Sequence, residues 1–401
     1  MKIRLFAGVL ADAVSYTAKA LPSRPPVPVM AGILLTTGDN GLRLSAADGE
    51  VYTSATLSAE IAADGQALVP GRLFNDICGK LPKGAEVDLE ADGARLTLLC
   101  GSARFTLPLL PIEEYPAMPA IPDAVARLDA EAFGDAVAQV AVAVGRDDTL
   151  PALTGIQLRL TGALLVLAAS DRYRVGRREI TVHPTGTLPA PAKKRRKPEP
   201  DEGADPAAET SAVLVPGQTL ADAARALTGE HTVTLHWSDA LFALTIPGRT
   251  YMTRQLGAEY PKIDALLPTA ADFTIALPVA EAIAAVQRVA LVATRNTPIR
   301  LVLDSTGEHL IVEGGSGDDA QASDRIPMNI LDGDPQSAAG DGAERYVIAF
   351  NPVYLTDGLK ALGTSEARLD LRQPTKSAVL RAGGDIGDSY LHLLMPVRIS
   401  G

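Results

Sequence analysis

A chain of 401 residues, 47% apolar and 21% charged, has room for two to four domains that each bury a core. No apolar run approaches the ~18–20 residues of a membrane helix, and a net charge of -11 excludes a surface that coats nucleic acid everywhere, though not a local basic face. The two cysteines read as small buried hydrophobes of a reducing compartment.

In chain order, MKIRLFAGVLADAVSYTAKAL fits an amphipathic helix over 6–20 better than a signal peptide, because Asp12 and Lys19 interrupt its apolar stretch; a cytosolic chain is expected. An apolar strand pair follows at 27–54. The sequence ALVPG then stops a strand and starts a helix over 71–81, with Cys78 on an apolar side shared with Leu73, Ile77 and Leu81. Strands LTLLC, ending at Cys100, and RFTLPLLPIEEYP complete this part, and proline and small residues mark a boundary at 119–127. The order then recurs: helix 129–145, strand pair 150–177, helix 217–227 after VLVPG, strand RTYMTRQLGAEYP, boundary 267–274. It recurs once more as helix 277–294, strand pair 297–324, helix 352–362 after IAFNP, and SYLHLLMP. Pro70 to Pro116 spans 46 positions, Pro216 to Pro261 spans 45 and Asn351 to Pro396 again 45. One domain-sized unit has been copied three times, giving domains at 1–122, 128–268 and 273–401, and three like domains in a row form a curved body with an inside and an outside. The segment 190–212 differs in kind. Five consecutive basic residues, Lys193 to Lys197, precede five acidic ones in a Pro/Ala background, so it reads as a disordered insertion that either neutralises itself or meets nucleic acid.

The catalytic inventory is thin. Histidines 183, 231, 236, 309 and 392 have no metal-ligand spacing, Gly79–Lys80 lacks a phosphate loop before it, and no G-x-S-x-G elbow exists. Only Asp147–Asp148 leaves a metal-dependent enzyme open as a remote alternative. Basic residues on or beside the helices (Lys19, Arg24, Arg72, Lys80, Lys83, Arg225, Arg288, Arg295, Lys360) either face phosphates or form solvated faces. No metal and no cofactor is expected; the chain holds something rather than transforming it.

The motifs LVPG (68–71), SARFTLPLLPIEEYP (102–116), LPALTGI (150–156), ASDRYRV (169–175), FNPVYLTDGL (350–359) and MPVR (395–398), one set per repeat, resemble the bacterial DNA polymerase III beta subunit, the sliding clamp, over essentially the full length. The phrasing DDTLPALTG is most similar to clamps of actinobacteria. The resemblance implies an α+β fold of three DNA-clamp domains, helices inside and antiparallel sheets outside, forming a crescent that closes head to tail as a ring-shaped homodimer. It implies a non-catalytic processivity factor in the cytoplasm, at the nucleoid. Its partners would be duplex DNA held without regard to sequence, the polymerase alpha subunit, the clamp loader and other proteins with a clamp-binding motif. No membrane is involved. Residue by residue, the resemblance places a partner-peptide cleft at Leu153, Ser170, Arg172, Tyr173, Arg174, Val175, Pro261 and Leu266 from the second repeat. The third repeat adds Asn351, Tyr354, Thr375, Ser377, Leu393, Met395, Pro396, Val397 and Arg398. An apolar anchor would sit among Leu153, Val175, Leu266, Leu393 and Met395, although Leu153, Val175 and Leu393 alone read equally as strand core. DNA contact falls to Arg24, Arg72 and Arg146, and the dimer interface to Leu73 and Phe105 facing Leu291.

Some positions depart from the family pattern. Ala265 stands where many clamps have Arg, Pro151 and Ala152 where some have aromatics, and Gly217–Gln218 where some have a basic pair. These leave open a specialised second-copy clamp that resists a clamp-binding antibiotic, with a cyclic peptide inhibitor as the cleft's other ligand.

Overall fold

The computed structural model describes residues 1–186, 210–227, 229, 231–292, 297–303, 307–315, 320–339, 343, 345–383 and 389–398. Segment 190–209, with the basic run Lys193–Lys197, lies outside them, as does Arg295. The end of the expected insertion does not: residues 210–212 open the strand Thr210–Pro216, where TSAVLVP alternates toward a core that the preceding Pro/Ala stretch could not supply.

The chain divides into two compact units, and the division passes through the middle repeat. One unit holds Met1–Glu131, a stretch beginning at His183, and Arg225–Gln255. Its larger sheet has nine strands. Four come from the first repeat, ending on Val51–Leu57, and five from the second, beginning with Arg249–Arg254. These two strands pair antiparallel with Ala55 opposite Arg249. Its smaller sheet has five strands and ends on Ala103–Pro108. Helices Ala7–Thr17 and Gly71–Cys78 bury Leu10, Val14, Phe74 and Cys78 in a core with Leu35, Leu44, Leu89 and Leu98.

The other unit holds Ala132–Val182, a stretch ending at Ala224, and the chain from Leu256 on. It repeats the plan. A nine-stranded sheet joins four strands of the second repeat, ending on Arg174–Thr181, to five of the third, beginning with Tyr390–Leu394, with Arg178 opposite Tyr390. A four-stranded sheet ends on Ala322–Pro327. Helices Val279–Ala290 and Pro352–Leu362 pack into one core with Leu301, Val312, Leu369 and Leu380. Helix Pro352–Leu362 is well specified locally: Asn351 Oδ1 accepts N–H bonds from Val353 (2.9 Å) and Tyr354 (3.4 Å), proline opens the first turn, and Gly363 closes the last at φ +68°.

Every expected helix forms, but several are shorter. Asp129 ends the strand Ala124–Asp129, and the helix Ala130–Ala141 stops where Ala143 and Val144 donate to carbonyls three residues back and Gly145 turns to Leu153 O at 2.8 Å. Residues 277–278 likewise belong to the strand Phe273–Pro278. Leu73 does not share a buried side with Cys78: helical spacing pairs Phe74 with Cys78, and Leu73 is 49% exposed. Among the described residues no helix is long and apolar enough to cross a membrane.

Candidate functional site

The hairpin between strands Leu164–Ser170 and Arg174–Thr181 carries most of the chemistry in the second unit. Its turn is held by side chains. Asp171 Oδ1 accepts the backbone N–H of Tyr173 (3.0 Å) and Arg174 (3.1 Å). The Ser170 hydroxyl accepts from Arg172 N (3.2 Å) and donates to Arg174 O (2.9 Å). Such Asx and Ser bonds offer the backbone a turn in place of a ladder.

The turn delivers Arg174 into a nearly closed setting. Its guanidinium pairs with Asp171 (3.0 Å) and with Asp357 of helix Pro352–Leu362 (2.8 Å), and lies 4.4 Å from the centre of the Tyr354 ring. Two carboxylates and an aromatic face account for a cation that is only 9% exposed. Tyr354 and Asp357 stand three residues apart, one turn along the same helix face. Tyr173, 52% exposed, stacks on Tyr354 with ring centres 6.1 Å apart.

Around this pair opens a cavity of about 430 Å³, lined by Val144–Asp147, Leu150, Leu153, Asp171–Arg174, Val353, Tyr354 and Asp357. It has the size and the mixed lining of a ligand site. The three arginines and three aspartates are arranged unequally. Arg174 is saturated by Asp171 and Asp357 within the site, whereas Arg146, Asp147 and Arg172 are all exposed at its margin. The Asp147 carboxylate is held below its ordinary range by hydrogen bonds from the Thr149 hydroxyl (2.6 Å) and N–H (3.0 Å), with the Arg172 charge adding to them. It closes a turn, and among the described residues no cluster of three metal-ligating side chains includes it.

Beneath the hairpin the join between repeats is packed solid. Val175 stands opposite Leu393, each 2% exposed, in a cluster with Leu214, Tyr260, Ile263 and Leu391. His392 is fully buried. The Tyr390 hydroxyl lies 3.0 Å from the Gln139 carbonyl and 3.1 Å from His392 Nδ1. A carbonyl only accepts, so the hydroxyl's proton goes to Gln139 and Nδ1 must donate, leaving Nε2 bare. Nε2 has no hydrogen-bond partner among the described residues. Burial first, and the charge of Arg174 second, lower the His392 pKa to about 3, so the imidazole is neutral. Only glycine fits at 358, where a Cβ would come 2.6 Å from the ring's Cδ2.

The structure therefore gathers Leu153, Arg172, Tyr173, Arg174 and Tyr354 around one cavity, while Ser170 and Asn351 hold its turn and its helix. Met395 joins through its N–H to Tyr173 O (2.9 Å), and Val397 N–H reaches Ala349 O (2.8 Å). Val175 and Leu393 do not line this cavity: burial on both sides of the ladder makes them core, the plain alternative that strand pattern allowed. Leu266 is 59% exposed and, with Pro261, Thr375, Ser377, Pro396 and Arg398, also lies off the lining; the Ser377 hydroxyl accepts from Arg372 at 3.1 Å. Arg146, read in the sequence as a DNA contact, and Asp147, there half of a remote metal alternative, line it. Sequence reasoning missed Asp357, although its position one turn after Tyr354 was a usable signal, and Val353, for which there was none. In the other unit Arg24 is exposed, and Arg72 donates to Pro22 O (3.0 Å), two residues before it. Leu291 is 85% exposed, just past helix Val279–Ala290, and Phe105 lies on the edge strand Ala103–Pro108, partly buried.

Comparison with known proteins adds a family. Models of the N-terminal, central and C-terminal domains of the DNA polymerase III beta subunit match residues 1–119, 127–188 and 264–398. The beta sliding clamp of Streptomyces coelicolor is 42% identical over all of both chains. The beta sliding clamp homolog GriR of Streptomyces muensis is 32% identical over 99% of each. The solved sliding clamp of Bacillus subtilis superposes over both full chains with a TM-score of 0.85 at 22% identity. A Pseudomonas aeruginosa clamp bound to griselimycin does so with the same score and identity.

Proposed function

The chain belongs to the DNA polymerase III beta subunit family, the beta sliding clamps, and from that premise we propose that it closes around duplex DNA as a ring of two copies and tethers a polymerase through the Tyr173–Tyr354 cavity. The observation that carries ring closure is the strand count. Both joins between consecutive repeats add five strands of one repeat to four of the repeat before it. The first repeat retains an unjoined five and the third an unjoined four. Their outer strands, Ala103–Pro108 and Ala322–Pro327, are the counterparts of those that meet at the two joins. A second copy supplies the missing half for each, head to tail, and two copies leave neither of these two edges unpaired.

The internal joins also give the register. Leu57, Ile180 and Ile326 each face the first core leucine of the preceding strand, namely Leu42, Leu165 and Leu310. Two residues before them, Ala55 and Arg178 pair with Arg249 and Tyr390, the first ladder residues of the next repeat's last strand. Arg249 faces Ile246 across its hairpin as Ala103 faces Cys100. Asp324 of one copy thus falls opposite Ala103 of the other, and Ala322 opposite Phe105. Ala322 and Phe105 each pack partly buried against their own cores, so this pairing continues apolar contact across the ring. Leu73 and Leu291 add exposed apolar surface to the same interface.

The working unit is then three domains per chain, 1–122, 128–268 and 273–401, acting in the cytoplasm without catalysis. DNA is held by charge alone through Arg24 and Arg72, with Arg146 shared between DNA and the cavity margin. The polymerase alpha subunit, the clamp loader and other motif-bearing proteins dock a peptide with Gln, a short spacer and a terminal Leu-Phe anchor. Exchange of partners on one ring calls for affinity near micromolar, about -8 kcal/mol. A cyclic peptide such as griselimycin, bound in the Pseudomonas clamp, would compete at this site. The 42% identity to the Streptomyces coelicolor clamp, against 32% to GriR, favours the replication clamp over a resistance paralogue.

The test is topological. Loaded by a clamp loader onto nicked circular plasmid, the protein should co-elute with DNA, and cutting the plasmid should release it. Equal retention on circular and linear DNA would overturn encirclement. Replacing Arg24, Arg72 and Arg146 with Ala should lower loading equally on unrelated sequences.

A further inference from the structure

The first two repeats build one tight turn with a different residue at a single position. In the first, Asp48 Oδ1 accepts the N–H groups of Glu50 (2.9 Å) and Val51 (2.6 Å), and Gly49 between them takes φ +97°. In the second, Asp171 Oδ1 accepts those of Tyr173 and Arg174, and the corresponding residue is Arg172, at φ 80°. Arg172 is the one non-glycine residue with positive φ among the described residues. Left-handed backbone crowds a Cβ, and an unbranched charged side chain has no local hydrogen bond that compensates, as Asn or Asp would. The first repeat shows that this turn is made with glycine. The second sets aside that easier choice where the turn borders a cavity, and backbone strain that persists at a cavity marks a working residue.

What the side chain offers there is an uncommitted charge. Arg172 is exposed, its guanidinium 5.8 Å from the Tyr173 ring centre, and among the described residues it enters no ion pair. The neighbouring Arg174 is taken up by Asp171 and Asp357. Asp147, whose carboxylate feels the Arg172 charge, is already engaged by Thr149. Arg146 adds a second exposed cation to the same lining. We infer that Arg172 is a specificity-determining residue, which holds a carboxylate side chain of the peptide occupying the cavity. The guanidinium's planar fork suits a carboxylate, and a contact at an open margin raises affinity modestly and in a salt-dependent way. The inference rests on the peptide-docking reading above.

Fluorescence anisotropy with labelled Gln–spacer–Leu-Phe peptides tests it, with Asp scanned through the spacer and flank, each beside its Asn twin. On the unmodified protein one Asp peptide should bind about threefold tighter than its twin in low salt, with the difference fading in high salt. Arg172→Gly restores the residue of the first-repeat turn and relieves its left-handed backbone, so the fold should be at least as stable and the preference for the Asp peptide should be lost. Arg172→Gln, which keeps the side chain's bulk without its charge, should lose it as well. A preference that survives both substitutions, or no preference in the unmodified protein, overturns the assignment of Arg172 while leaving peptide docking intact. Failure of the Asn twins themselves to bind would instead overturn the docking reading, and this inference with it.

Discussion

The two nine-stranded sheets and the two short ones are cut from the same pattern, yet they stand in opposite conditions. In each complete sheet the join between repeats is buried: Val175 faces Leu393 across one, and Tyr52 faces Met252 across the other. In the five- and four-stranded sheets the corresponding strands, Ala103–Pro108 and Ala322–Pro327, are edges whose residues alternate between exposed and half-buried for most of their length. The same strand positions are core where a neighbour follows in the chain and edge where none does. A fold that spends two of its three joins internally has one left over, divided between its two ends, and an unpaired edge of this kind is a template for another chain.

The comparison breaks most completely if the leftover join is blocked. Leu73→Glu with Leu291→Glu should convert the dimer to monomers in sedimentation at micromolar concentration, because a closed two-copy ring uses the interface twice and loses both contacts together. A double variant that stays fully dimeric would remove these residues from the interface. Substitution at a completed join should act on folding instead. Leu393→Ala removes a side chain 2% exposed and should cost about 2–5 kcal/mol in denaturant unfolding while leaving the folded chain dimeric. A cost under about 1 kcal/mol would mean that the join is not packed as core.

How far the sequence carried this picture depends on the range of the interaction. Helices after Pro70, Pro216 and Asn351 were legible because their start signals lie within a turn of the residues they act on. Leu393 as a strand residue was legible from alternation, but whether it lines a pocket or fills a core depended on Tyr260 and Ile263, which reach it only through folding. Arg174 illustrates the limit. Its first carboxylate partner, Asp171, is in the same motif, but the second, Asp357, lies 183 residues away, and nothing local announces that pairing. The 4-plus-5 strand arithmetic was hidden for the same reason: each repeat could be read as a unit, whereas joins between repeats are tertiary. Arg172 is the converse case. Asp48–Gly49 and Asp171–Arg172 stand in plain view in aligned repeats, and only the backbone angle gives the difference its meaning.

A smaller effect sharpens the same contrast from within the completed join. His392 is held neutral in the folded chain with its pKa lowered to about 3, against about 6.5 when unfolded. Because the unfolded chain takes up the proton first, stability is fully present above pH 6.5 and falls as pH drops toward 3. Between pH 6.5 and pH 5 the loss should be about 1.5–2 kcal/mol. His392→Gln should flatten this part of the stability profile, whatever its effect at pH 7. An unchanged slope would mean that the imidazole is not kept neutral by burial.

Cysteine cross-linking reads the leftover join most directly. A chain carrying Ala103→Cys and Asp324→Cys places both thiols on one face, opposite each other across two copies, within the ~4.4–6.8 Å Cα separation a disulfide needs. The native Cys78 is buried, its thiol pushed up to about 12, and should stay silent, while Cys100, which faces position 103 across its hairpin, is replaced with Ser in every variant. Mild oxidation should give a covalent dimer. The pair Ala103→Cys and Arg325→Cys, shifted by one residue to the opposite face, should not. Equal cross-linking by both pairs, or none by the first in a protein that sediments as a dimer, would contradict closure through these two edges.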